Sequence, residues 1–496
     1  MAPGGSRHMV KQSLRFSLIN YAGIGIGILA SLYLYPRDRE LYGTFSYIQA
    51  GAELLMPLMG FGISQAIIKY FPRVRDQADN RNRLFGFSLS FVLVSALLIG
   101  SLALLMRPLF PAISAYIRVD YMPYSVLIAI GITSMDLLKK YLSNFKNITA
   151  QAFVDSFVLR LGLPILFILV LYYGVKPVFT YRAFSFFYVV VAFFMLRYTL
   201  RFTQTRLDFH FKAIRHLIGK PFFQYSLIML ASLIGNKLAF SIDRFMIPNL
   251  LSEKDNGTYT IALNLSRSMA VPAAAVIAIA SPLITDYLAT GNRNGLQRVY
   301  KRASLSLSAI GIWLYLAVFL GISFFFESLS TAKNLLPSVP ILLVLGIGFV
   351  CNMATGINSQ IISFSEHYRF TFYLTLFLGM MNIAFNLVFI EVFETGVIGV
   401  AYATLTSLVV FNAVVIAFVY RKFGILPFTP SHIKVLILGL LSAAVIYLLP
   451  NFKTPGFNAL YKPGLFLLTN LSTVHQMNWV ADINACTANL VKRFKK

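Results

Sequence analysis

Residues Leu14–Leu34 read LRFSLINYAGIGIGILASLYL, an apolar run whose only charge, Arg15, sits at its start. About twenty such residues span the hydrocarbon core of a bilayer as a helix. The run is too long for the apolar region of a signal peptide. Pro36-Arg37-Asp38-Arg39 also follows it, where a cleavage site would place small residues. It reads as a first membrane span. Met1 to His8 reads as the remnant of an expression tag or an upstream start, with Met9 the expected native beginning. The rest of the chain has the same character. Of its 496 residues 57% are hydrophobic and only 12% charged, with a mean hydropathy of +0.71, too little polar surface for any soluble domain of this length. Cys351 and Cys486 lie far apart in sequence, which argues against a disulfide framework or a zinc site.

Reading for further apolar windows gives an all-α, polytopic membrane protein of about 14 spans. They fall near 13–35, 44–70, 84–106, 122–143, 153–173, 178–198, 222–248, 257–287, 303–326, 337–362, 369–390, 397–420, 432–449 and 457–472. The last two are the shortest, and twelve is the fallback count. Lysine and arginine set the orientation. With residues 1–12 cytoplasmic, the inner segments collect Arg73, Arg75, Arg81 and Arg83, then Lys139, Lys140 and Lys146. The 200–221 stretch, Arg293–Arg302, Arg421–Lys434 and Lys492–Lys496 add to the same side. Outer loops hold fewer and no large cluster. The net charge of +25 is therefore positive-inside bias and contact with anionic headgroups. A nucleic-acid partner would need a folded basic domain, and the spans leave no room for one.

At a shift of 214 residues, Tyr42-Gly43-Thr44-Phe45-Ser46-Tyr47 aligns with Asn256-Gly257-Thr258-Tyr259-Thr260-Ile261. Pro57 and Pro272 fall within one residue of alignment, and Glu53 sits opposite Arg267. A weak internal repeat of this kind is how many transporters are built. Six spans per half make it parallel, with a pseudo-twofold relation. The expected organisation is a bundle at 13–199, a basic linker at 200–221, a bundle at 222–420, an extra helix pair at 432–472 and a basic tail at 473–496.

A charge in the hydrocarbon region costs about 2.5–3.5 kcal/mol and needs a reason. Glu53 and Lys237 lie near the middle of their spans, with Arg267 just off the middle of its own. Lys237, Ser241 and Arg244 recur at helical spacing on one face, as do Thr260, Asn264 and Arg267, and Ser46, Gln49 and Glu53. Three polar stripes imply a water-accessible, modestly cationic cavity, with Asn20 and Tyr21 as further lining residues. Arg244 is open to two readings, cavity lining or snorkelling to the outer interface. Asp136 and Arg160 read equally as a structural pair or as functional groups, and Asn382 with Asn386 as a helix–helix hydrogen-bonding pair. Glu53 or Asp136 could carry a coupling proton or sodium ion. All six histidines fall in termini or cytoplasmic loops, which leaves none buried for catalysis, and no metal or cofactor motif appears.

Three stretches resemble the polysaccharide-biosynthesis flippases of the Wzx (O-antigen) type. They are Leu41–Ser46 leading into Met59-Gly60-Phe61-Gly62-Ile63, then Ser241-Ile242-Asp243-Arg244-Phe245-Met246-Ile247, and Asn382–Asn386 followed by Gly396–Thr404. The resemblance covers roughly residues 10 to 425. It implies two six-helix bundles around a central cavity, in a superfamily that includes MATE drug exporters and lipid II flippases. It also implies alternating-access movement of a polyprenyl-pyrophosphate-linked oligosaccharide across a bacterial inner membrane, as part of lipopolysaccharide assembly. Membrane lipids and polysaccharide polymerase components would be partners, no cofactor is implied, and no bond is made or broken. The rival readings are a MATE-like cation-coupled drug exporter, which would want more central carboxylates than Glu53, and an integral-membrane enzyme acting on lipid-linked sugars. Arg37-Asp38-Arg39-Glu40 superficially resembles an acidic loop motif of such enzymes, but reads better as an interfacial turn.

Overall fold

A computed structural model describes residues 19–105, 117–145, 147, 149–214, 218–477 and 479–480. The expected cytoplasmic N-terminus at 1–12 and most of the 473–496 tail lie outside them. Every regular element among the described residues is helical. The chain forms two compact units, Met1–Gly257 and Thr258–Lys496.

In the first unit, α1 (Ile19–Arg37) contains one π-helical turn at Ala30–Leu34. Helix α2 (Arg39–Gly60) starts where the Asp38 side chain accepts the Leu41 N–H at 2.9 Å, so the charged turn after α1 acts as a helix cap. It ends at Phe61-Gly62, both with positive φ, and the chain bends by 48° into α3 (Ile63–Tyr70). A Cβ at Gly62 would overlap the Ser226 carbonyl, so glycine answers both the backbone conformation and the close approach. Helices α4 (Ala78–Leu104), α5 (Met122–Ser143), α6 (Val154–Tyr173), α7 (Pro177–Thr203) and α8 (Lys220–Leu250) follow. α2 lies among them. Its Phe45 packs edge-on to Tyr181 and Phe184 of α7, with ring centroids 5.1 Å apart. Its Ile48 carbonyl accepts the Ser125 hydroxyl of α5 at 2.9 Å.

Helix α9 (Glu253–Ser268) begins as α2 does. The starts at 39 and 253 are 214 residues apart, and Ser252 Oγ accepts the Asp255 N–H at 3.1 Å where Asp38 accepts that of Leu41. The aligned glycines meet at the two N-termini. A Cβ on Gly43 would overlap the Glu253 carbonyl, and one on Gly257 would overlap the Arg39 carbonyl, each four residues before the other glycine. The Asn256 side chain donates to the Gly43 carbonyl at 2.8 Å. The Gly-Thr repeat is thus the point where two helix starts cross at backbone distance.

The second unit continues with α10 (Val271–Ala289), α11 (Arg293–Glu327), α12 (Ala332–Ala354), α13 (Asn358–Phe364), α14 (Phe370–Val392), α15 (Val397–Phe423), α16 (Pro430–Leu448) and α17 (Pro455–Met477). The 35 residues of α11 make it the spine. One half packs through Leu296 and Tyr300 against Ile357, Ile361, Val415 and Val419. The other packs through Trp313, Leu316 and Leu320 against Val435, Ile446 and Phe466. The final pair α16–α17 therefore adds to the core of this unit. Lys462 of α17 is buried there and donates to the Tyr447 carbonyl near the end of α16 at 3.1 Å.

Among the described residues, twelve helices are long and apolar enough to span a membrane, and the bent α2–α3 pair makes thirteen. Two expectations change. The span expected at 257–287 is broken, because the chain turns after Ser268 and Pro272 restarts it as α10. α9, at 16 residues, reaches only about 24 Å. The one expected at 457–472 is the helix α17, whose Asn458, Lys462 and Asn470 leave it below the apolarity of a span and are all buried.

Candidate functional site

The Lys237–Ser241–Arg244 face of α8 closes on one carboxylate of α2. Glu53 Oε2 accepts from Ser241 Oγ at 2.5 Å and from Arg244 Nη2 at 2.9 Å, and Lys237 Nζ stands 3.9 Å away. Glu53 Oε1 accepts from Gln49 Nε2 one helical turn earlier, at 3.2 Å. Arg244 Nη2 also donates to Ser241 Oγ at 3.4 Å, so the hydroxyl relays between guanidinium and carboxylate. The cluster is enclosed. Arg244 retains 8% of its exposure, and the Glu53 and Lys237 side chains 17% and 28%. Arg244 is thus buried in its ion pair with Glu53. Tyr188 of α7, also buried, lies within electrostatic range of both Glu53 and Arg244. Two cations and one carboxylate leave a surplus positive charge at the centre of the α2–α8 packing.

Two other expected lining residues, Asn20 and Tyr21, have different surroundings within the first unit. Asn20 of α1 accepts from Ser156 of α6, at a place where Gly23 lets the two backbones touch. Tyr21 is 59% exposed on the same helix. Neither reaches Glu53, because α1 pairs with α6 in this region. Asn264 is exposed and Arg267 half-buried on the part of α9 that belongs to the second unit. Asp136 is half-buried on α5. The ion pair tying α5 to α6 is Lys139–Asp155 at 3.0 Å; among the described residues no bridge joins Asp136 to Arg160. Asn382 and Asn386 are buried on α14.

Some features were not anticipated. His432, expected in a loop, stands half-buried in the first turn of α16. Its Nδ1 accepts the Thr429 N–H at 3.0 Å, and its Nε2 lies 3.1 Å from Ser304 Oγ of α11. The signal was legible as Thr429-Pro430 before an apolar run, a helix start with proline in the first turn. Arg118 donates to the Pro248 carbonyl at 2.8 Å and pairs with Glu253, which clamps the α8–α9 connection. In the segment after α7, Asp208 accepts from the backbone N–H of His210 at 2.9 Å and from Arg83 Nε of α4 at 2.9 Å, with the His210 ring 2.7 Å away. The His210 amide and ring, then Arg83, hold its carboxyl below the usual carboxylate range. Among the described residues, no group of three His, Cys, Asp or Glu could hold a metal ion.

The helical architecture, with charge enclosed between apolar spans, defines a multi-pass membrane protein of the fold seen in lipid II flippase and MATE structures. Residues 17–288, more than half of the chain, match the polysaccharide biosynthesis protein family, and the chain belongs to it. No curated protein sequence matches it. Among solved structures, the lipid II flippase MurJ in an inward closed conformation superposes with a TM-score of 0.69 at 15% identity, covering 93% of this chain and 97% of that one. An inward-facing multidrug resistance MATE family transporter of the MOP superfamily gives 0.62 at 16% identity, over 83% of this chain and 98% of its own. A MOP superfamily transporter from Pyrococcus furiosus gives 0.55 at 15% identity, over 84% and 96%.

Proposed function

We propose that this protein is a flippase that carries a polyprenyl-pyrophosphate-linked oligosaccharide across a bacterial cytoplasmic membrane, with its N-terminus in the cytoplasm. The observation that carries the reading is the pair of cations, Lys237 and Arg244, gathered around one carboxylate where α8 packs on α2. A surplus positive charge in a low-dielectric site suits a pyrophosphate, and guanidinium groups match phosphate oxygens with paired donors. The family, named for polysaccharide biosynthesis, supports a glycan cargo, and a fold shared with a lipid II flippase supports a lipid-linked one. Such a step moves a molecule and needs no catalytic group. Arg267 and Asn264 are further candidates for cargo contacts, and Glu53 or Asp136 for ion coupling.

Deleting the gene should cause the lipid-linked oligosaccharide to accumulate on the cytoplasmic leaflet. Plasmids carrying Lys237→Ala or Arg267→Ala should restore transfer only in part. Absence of accumulation would overturn the flippase reading. Sensitivity to cationic drugs without accumulation would point instead to an exporter.

A further inference from the structure

The Glu53 cluster has the composition of an anion-binding site, and its anion is part of the chain. Two donors from α8 converge on a single oxygen, Glu53 Oε2, Ser241 at 2.5 Å and Arg244 at 2.9 Å, with the Lys237 ammonium 3.9 Å away. That is how a protein holds one oxygen of a phosphate: a hydroxyl, a guanidinium and an ammonium around a point. One donor is left over. Arg244 Nε is buried and donates to nothing among the described residues. A buried guanidinium nitrogen without an acceptor is costly, and a two-oxygen ligand offered to the fork would use it. Asp243, the nearest other carboxylate in sequence, sits about a third of a turn around α8 from this face.

We infer that Glu53 is a built-in substitute for the ligand's oxyanion, and that an anionic headgroup binds α8 by exchanging with this carboxylate. The inference rests on the pyrophosphate reading above and adds how that site is regulated. With Glu53 seated, the two cations are partly neutralised and the donors occupied, so the chain competes with its own ligand. Apparent affinity is the intrinsic affinity scaled by the fraction of molecules in which Glu53 has swung away. The consequence is selective. A zwitterionic lipid headgroup, whose phosphodiester carries one negative charge beside a cation, offers too little charge to displace a carboxylate held by two cations, whereas a pyrophosphate supplies more than one negative oxygen. After release, Glu53 returns and spares the membrane interior a bare pair of cations.

The test is direct binding by purified protein in detergent, with inorganic pyrophosphate and farnesyl pyrophosphate as probes. Glu53→Gln keeps the shape and removes the charge. If a tenth of molecules or fewer are open at rest, it should bind both probes about tenfold or more tightly than the wild type. Adding Arg244→Ala to Glu53→Gln should abolish the gain. Equal or weaker binding by Glu53→Gln, or no binding by any variant, overturns the inference. Should Glu53→Gln fail to fold, Glu53→Asp decides in the same way, because its shortened carboxylate retreats from Arg244 and should tighten binding by a smaller factor. The outcomes are separable from those of the gene deletion. Tighter pyrophosphate binding without cellular accumulation keeps this inference and sinks the flippase reading, and accumulation without tighter binding does the reverse.

Discussion

Arg244 and Glu53 are each enclosed, so neither tolerates losing the other. Removing one member of a buried ion pair leaves an uncompensated charge and typically costs about 3–5 kcal/mol, whereas removing both costs much less. Arg244→Ala should therefore lower the thermal unfolding midpoint in detergent sharply. Lys237 at 3.9 Å offers Glu53 only a partial replacement partner. The double variant Arg244→Ala with Glu53→Gln should recover most of the loss. Additive losses would mean that the pair is not coupled. At this scale the sequence was informative about faces and silent about partners. The i, i+4, i+7 spacing put Lys237, Ser241 and Arg244 together because helix geometry alone decides it. The choice of Glu53 as their common acceptor depends on how α2 packs against α8, and no local pattern encodes that.

Asp38, Asn292 and Thr429 cap the starts of α2, α11 and α16, and polar side chains tie down the long connection after α7 in a similar way. Asp208 joins the segment to α4 through Arg83, and the Gly86 position lets the Asp208 carbonyl approach where a Cβ would collide. The Arg206 N–H is likewise taken by Asn82 of α4, at 3.1 Å. Because the folded carboxyl titrates below its ordinary value of 3.8, its contribution is fully present above that pH. It is lost as pH falls further, through the lowered value. Hydrogen exchange at the His210 amide, corrected for intrinsic rates, should show protection at neutral pH that fades below about pH 4. Asp208→Asn should weaken that protection at every pH, and protection in the variant equal to wild type would remove Asp208 as the tie. This stretch read only as a basic linker, since a composition signal does not show which side chains it uses for anchoring. The broken span at Ser268–Val271 was missed for a related reason. Apolarity runs through the break, and Pro272, noted for its place in the repeat, also marks a helix restart.

For the molecule as a whole, hydropathy made the membrane class legible, because nothing but a bilayer accommodates so apolar a chain. The exact span count was not, because a window average cannot tell a buried polar helix such as α17 from a marginal span. The Lys462 ammonium and the Asn470 side-chain nitrogen donate to carbonyls and a hydroxyl inside the unit, so their polarity does not report contact with water. The repeat was legible as a six-residue match because two glycines had to remain small where the starts of α2 and α9 cross. Orientation rests on a different physical term. Translocating a lysine or arginine cluster across the bilayer is opposed, so the proposed orientation keeps the basic connections on the cytoplasmic side. Two exposed positions test this. Arg75, between α3 and α4, is expected inside, and Lys176, ahead of α7, outside. In a background with Cys351 and Cys486 changed to serine, Lys176→Cys should react with a membrane-impermeant maleimide in intact cells. Arg75→Cys should react only after the membrane is permeabilised. The reverse pattern would invert the topology and put the pyrophosphate's entry side opposite to where the proposed cargo is made. Labelling of both in intact cells would mean that charge bias does not govern this chain's insertion.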